Sequence, residues 1–209
     1  MRPLPREFVP FRLLGAPVVF HWSVPLVAAL ILASSLNGNP LAALVGMLAY
    51  LLLIVAHEAG HAWVARRHRL YVDSLRIYPM HGQCVHEMAR TPAQDIAIAW
   101  GGVAAQALLF VLAMLIGLLP SSPGTLSSLQ TALVVVWGPV NLLIVAFNLL
   151  PMAPLDGARA WRVLPWLRQR WRARAQGPKP AKPKPRARGE RGKVVSLDEH
   201  RQRNARNDD

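Results

Sequence analysis

The chain has one cysteine, Cys84, in 209 residues. That excludes an intramolecular disulfide, and a lone thiol on a reducing cytoplasmic face is expected to stay reduced. With no partner at metal-site spacing, Cys84 is not expected to ligate a metal. Acidic residues are also scarce, 11 against 24 Lys and Arg, for a formal net charge of +13. The most informative scarcity is local. The runs 17–36, 41–56, 96–119 and 131–150 contain no Asp, Glu, Lys or Arg. Overall composition, 53% hydrophobic with a mean hydropathy of +0.25, is only modestly apolar for a soluble protein, so the distribution decides the class. Each run is near the length needed to cross the hydrocarbon core as a helix, the second by continuing to residue 64. One small soluble core rarely needs four such runs.

The basic residues orient these runs. Arg2, Arg6 and Arg12 precede the first. Arg66, Arg67, Arg69, Arg76 and Arg90 separate the second from the third, and the remaining basic residues follow the fourth. The connections 37–40 and 120–130 carry no Lys or Arg. The positive-inside rule then predicts four spans with both termini cytoplasmic. The first run is long and closes without a small-residue cleavage site, so it is not expected to be a cleaved leader.

Three regions follow: a basic interfacial lead over 1–16, a membrane core over 17–160, and a tail over 161–209. The tail holds 15 basic and 5 acidic residues and is rich in proline, so it has little to bury and is expected to be largely disordered. It is expected to follow anionic lipid headgroups. Nucleic acid is a disfavoured partner, because no aromatic or folded recognition element accompanies the charge. The predicted fold class is an all-α polytopic membrane protein of about four transmembrane helices. Between helices two and three, Tyr71, Val72, Leu75, Ile77 and Tyr78 sit among polar residues in a short strand-like run, residues 79–82 read as a turn, and 83–88 as a returning strand. That pattern predicts a short membrane-associated hairpin, whose exposed edge suits pairing with an extended peptide.

At the end of the second run stands His-Glu-Ala-Gly-His, residues 57–61. A helix puts His57 and His61 on one face, where two imidazoles can hold zinc, and Glu58 beside them can take a proton from water. Catalytic zinc needs a third protein ligand. Asp156 is the best candidate, because two intervening spans return the chain to the same membrane side and an unpaired carboxylate near hydrocarbon is costly. Pro151 and Pro154 disfavour a regular helix before it, leaving irregular backbone that can line a cavity. Gly138-Pro139 predicts a kink in the fourth span, and Asn141 and Asn148 need partners for their amides. Asn148 is read either as a donor to the substrate or oxyanion or as a structural amide. His21 reads as a helix cap or pocket lining. His68, His81 and His86 read as surface or interfacial.

These residues together resemble the site-2 protease family of intramembrane zinc metalloproteases, the M50 peptidases, over roughly residues 10–165. His-Glu-Ala-Gly-His at 57–61 is similar to its zinc motif, and Asn-Leu-Leu-Pro-Met-Ala-Pro-Leu-Asp-Gly at 148–157 to its second motif. The resemblance implies that Asp156 is the third zinc ligand and that Asn148 lies close to the active site. Residues 15–26 resemble the entry to the family's first helix, and 91–106 a segment where many members carry Ala-Gly-Pro followed by Asn. Val103 and Gln106 stand in those two places here, and His81 stands where Gly is common. No inserted PDZ domain or C-terminal CBS pair is recognisable.

The expected function is an intramembrane zinc metalloendopeptidase of a prokaryotic inner membrane, with one zinc per chain, a zinc-activated water and Glu58 as general base. Its expected substrate is a membrane-spanning or membrane-proximal peptide, with a separate protein as a regulatory partner. The alternatives are an inactive membrane adaptor of the same fold, disfavoured by retention of Glu58, and a metal transporter, disfavoured because no series of polar residues marks a crossing pathway.

Overall fold

A computed structural model describes residues 7–34, 38–120 and 123–175. The chain divides into two units, Met1–Arg168 and Gln169–Asp209, and the elements that position the site lie in the first. In chain order they are β1 (Glu7–Leu13), β2 (Ala16–His21), α1 (Ser23–Ser34), α2 (Pro40–Arg67), β3 (Val72–Ile77), β4 (Gly82–His86), α3 (Pro92–Gly117), α4 (Thr125–Val135), a π turn (Val136–Val140), α5 (Asn141–Asn148), α6 (Gly157–Ala160) and α7 (Val163–Ala175).

Among the described residues, three helices are long and apolar enough to cross a membrane: Pro40–Arg67, Pro92–Gly117 and the continuous Thr125–Asn148. The first two start alike. Asn39 Oδ1 accepts from the Ala42 N–H at 3.0 Å, Thr91 Oγ1 from the Gln94 N–H at 3.2 Å, and each cap is followed by proline at the first helical position. There the missing N–H costs nothing. The third passes through the π turn that contains Pro139, where the Trp137 indole donates to the Ala49 carbonyl at 2.9 Å and ties the turn to α2. The Gly138-Pro139 pair, where a kink is expected, thus falls on a local change of helix type. The helix α3 is the most enclosed of the three: 39% of its apolar window is buried, against 28% for α2 and 17% for the third helix. Leu108, Leu115, Leu143 and Phe147 project outward, as lipid-facing side chains do.

The all-α expectation needs correction, because a four-stranded sheet in the order β1-β2-β3-β4 accompanies the helices. The β3–β4 hairpin falls in the stretch read as strand, turn and returning strand. The other two strands lie in stretches read as interfacial lead and first span. Residues 16–21 are as apolar as a helix, but Val18, Val19 and Phe20 are β-branched or aromatic, and Val18 and Phe20 pair in parallel with Leu75 and Ile77 of β3. Hydropathy cannot separate such a run from a helical one. The remaining helix of the first run, α1, has 12 residues, about 18 Å against roughly 30 Å of hydrocarbon. Residues 35–37, and the lead and tail at 1–6 and 176–209, lie outside the described residues. Pro10 suits β1 as an edge strand, since it removes no ladder donor there.

Two apolar clusters meet along α2. One joins the sheet to its later turns through Val18, Leu75, Ile77, Ile54, Ala62 and Ile98. The other packs its earlier turns, Ala49 and Leu53, against Ala113 and Trp137. The His57–His61 segment lies between sheet and bundle.

Candidate metal centre

His57 and His61 are buried on one face of α2, their rings nearly perpendicular with centroids 4.6 Å apart. The face of α3 opposite them repeats every four residues: Ile98, Gly102, Gln106. His61 Nδ1 donates to the Ile98 carbonyl at 2.7 Å. His57 Nδ1 donates to Gln106 Oε1 at 2.9 Å. Gly102 makes room between them, since a Cβ there would stand 2.5 Å from His57 Cε1 and 2.6 Å from His61 Nε2. With both Nδ1 protons so used, each neutral imidazole presents its Nε2 lone pair.

Those two lone pairs face each other, Nε2 to Nε2, at 3.0 Å. Asp156, in the turn before α6, places Oδ2 3.0 Å from His57 Nε2 and 3.0 Å from His61 Nε2. Among the described residues this is the one group of three or more His, Cys, Asp or Glu side chains that could hold a metal ion. Three electron-rich atoms so close repel unless a cation lies among them. Four-coordinate ligands about 2.0–2.1 Å from zinc sit roughly 3.3 Å from one another, close to the spacing here. Two imidazoles and a carboxylate also leave a fourth position open, as a catalytic site requires.

The Asp156 turn is anchored from several sides. Arg159 donates to Asp156 Oδ1 at 2.8 Å. The Trp161 indole donates to the Leu149 carbonyl at 2.6 Å, and the Trp100 indole of α3 to the Ala160 carbonyl at 3.2 Å.

Glu58 is 4% exposed and lies against β4. Its carboxylate accepts from the Cys84 backbone N–H. A Cβ at Gly82 would stand 2.5 Å from Glu58 Oε1, so glycine there is what lets the strand close on the carboxylate. Burial, with Glu58 adjacent, pushes the Cys84 thiol up to about 12. It stands outside the group of described side chains that could hold a metal ion.

Of the other polar residues singled out in the sequence, Asn148 is half-buried at the end of α5 and its side chain makes no hydrogen bond among the described residues. Asn141 is partnered, donating to the Gln106 carbonyl at 2.8 Å and the Trp137 carbonyl at 3.1 Å. His21 Nδ1 lies 2.6 Å from Ser23 Oγ at the start of α1, and His81 stacks on Tyr78. The sequence reading missed the parts played by Gly82 and Arg159, and it marked Gln106 only as a departure from the family's pattern.

No family model matches the sequence. The chain is 34% identical over 182 residues to the protein named "Putative zinc metalloprotease Rip3" of Mycobacterium tuberculosis, an alignment covering 78% of this chain and 45% of that one. It is 25% identical over 155 residues to zinc metalloprotease MJ0392 of Methanocaldococcus jannaschii, covering 74% and 44%. The chain thus spans less than half the length of these relatives. Among solved structures it matches the site-2 protease from Methanocaldococcus jannaschii with a TM-score of 0.57 and 21% identity, over 76% of this chain and 71% of that one. The fold is therefore that of a site-2 protease.

Proposed function

Because the chain belongs to the site-2 protease family, we propose that it is a zinc metalloendopeptidase that cuts membrane-spanning or membrane-proximal peptides. The observation that carries this reading is the 3.0 Å triangle of His57 Nε2, His61 Nε2 and Asp156 Oδ2, with Glu58 buried on the same helix. In it, His57, His61 and Asp156 would hold one zinc ion. Zinc bound there would acidify a water and polarise the scissile carbonyl. Glu58 takes the proton from the attacking water and delivers it to the leaving amine. The Cys84 N–H holds the Glu58 carboxylate in place, and Asn148 offers its unpartnered amide to the substrate backbone or the oxyanion.

The strand β4 ends the sheet order, so its outer edge is available to an extended peptide, and its contact with Glu58 brings that edge to the base. A substrate helix must unwind to pair there, which favours substrates with helix-weakening residues near the cut. The depth of the site supports a membrane substrate. His61 and His57 precede Arg67, at the polar end of α2, by six and ten residues, or about 9 and 15 Å along the axis. The distribution of Lys and Arg supports cytoplasmic termini in an inner membrane. The basic tail, mostly outside the described residues, is read as a contact for anionic headgroups. A separate partner protein is read as the source of regulation.

The test is Glu58→Gln in full-length protein reconstituted in vesicles with a membrane-spanning peptide that carries glycine or asparagine near its cytoplasmic end. The variant should retain zinc and lose cleavage by on the order of 10²–10⁴-fold, the range for removing a general base. Cleavage at the wild-type rate would remove Glu58 from the mechanism.

A further inference from the structure

We propose that Arg159 is the positioning residue of the metal centre, holding Asp156 by Oδ1 so that Oδ2 alone faces the two imidazoles, with Asp95 holding Arg159 in turn. The inference rests on the zinc reading above and extends it to the side chain that sets the third ligand.

Each ligand has one atom turned to the centre and one turned away. The outward atoms of the histidines are held by Gln106 and Ile98 of α3. The outward atom of Asp156 is Oδ1, and Arg159 Nη2 donates to it at 2.8 Å. Nothing in the backbone fixes this carboxylate: Asp156 precedes a helix of only four residues and makes no side-chain cap to it. The guanidinium is itself held. Its Nη1 lies 3.8 Å from Asp95 Oδ1, and Asp95, in the first turn of α3, also receives Arg162 Nη1 at 3.4 Å. One arginine thus ties the third ligand to the helix that already orients the other two.

An exposed i,i+3 ion pair would be worth little. This one differs because the Asp156 side chain is only 11% exposed and its second oxygen is committed to the centre. Metal-ligating carboxylates are commonly fixed by such outer hydrogen bonds, and loss of one typically weakens metal binding about 10–100-fold. The planar fork of arginine can meet two carboxylates at once, which a lysine ammonium cannot do in the same geometry.

The experiment measures zinc affinity by chelator competition on detergent-purified full-length protein, for Arg159→Gln alone and in an Asp156→Asn background. If Arg159 acts through Asp156, Arg159→Gln weakens zinc about 10–100-fold in the wild type and has almost no further effect once Asp156 is replaced. Asp95→Asn should cost less, about 2–5-fold. Arg159→Lys, which keeps the charge, should fall between them and serves if Arg159→Gln does not fold. A change under about 2-fold for the Arg159 variants, or an equal loss in both backgrounds, overturns the inference. Failure of the underlying reading looks different: wild type that takes up no zinc, or Asp156→Asn that holds it as tightly as wild type.

Discussion

The two sides of the metal centre are built from different kinds of chain. His57 and His61 ride on a helix of 28 residues, whose period alone puts them on one face; α3 then locks their rings through Ile98 and Gln106. Asp156 sits 99 residues beyond His57, in a turn between α5 and a four-residue helix, where no regular period directs a side chain. Its place depends on Arg159, Trp161 and Trp100. The helical side is preorganised by local geometry and needs space; the turn side needs tethers. Substitutions should therefore fail differently on the two sides, and Glu58, held by the sheet, should fail in a third way.

The largest effect is expected where space is removed from the helical side. Gly102→Ala drives a methyl into both imidazoles. Because the neighbouring helices are close-packed, the protein should lose stoichiometric zinc, measured by metal analysis of the purified variant. Retention of one tightly bound zinc would show that the α2–α3 approach is looser than described. Next comes Gly82→Ala, which crowds Glu58 without touching a ligand. Zinc content should stay near wild type while the cleavage rate falls by about 10²-fold or more, as for a displaced general base; parallel loss of zinc and activity would merge the base and the metal into one rigid unit. The smallest effect is expected for Gln106→Leu. It leaves His57 Nδ1 without its acceptor in a buried site and should weaken zinc about 10–100-fold, by chelator competition. Unchanged affinity would mean that α2 alone orients His57.

The same contrast explains what could be read from the sequence. The approach of His57, His61 and Asp156 was legible because helical spacing fixes the first two and the count of apolar runs returns the chain to the same side for the third. The β3–β4 hairpin was legible from Val72, Leu75 and Ile77 set among polar residues before the turn at 79–82. The strands β1 and β2 were not. Val18 and Phe20 pair with residues more than 50 positions later, and an apolar run carries no mark of whether its partner is a strand or lipid. Gln106 read only as a departure from a family pattern, yet its side chain reaches His57. Arg159 read as one more basic residue at the cytoplasmic edge. Its partners, Asp156 and Asp95, become neighbours only when the turn folds against the start of α3.

The most direct test of the centre is zinc per chain in the detergent-purified protein beside His57→Ala and Asp156→Ala. One zinc in the wild type, lost or strongly weakened in both variants, is the predicted result, because it requires the helical and turn sides to share a single ion. Folded wild type without zinc after metal supplementation, or variants that keep it, would contradict the account.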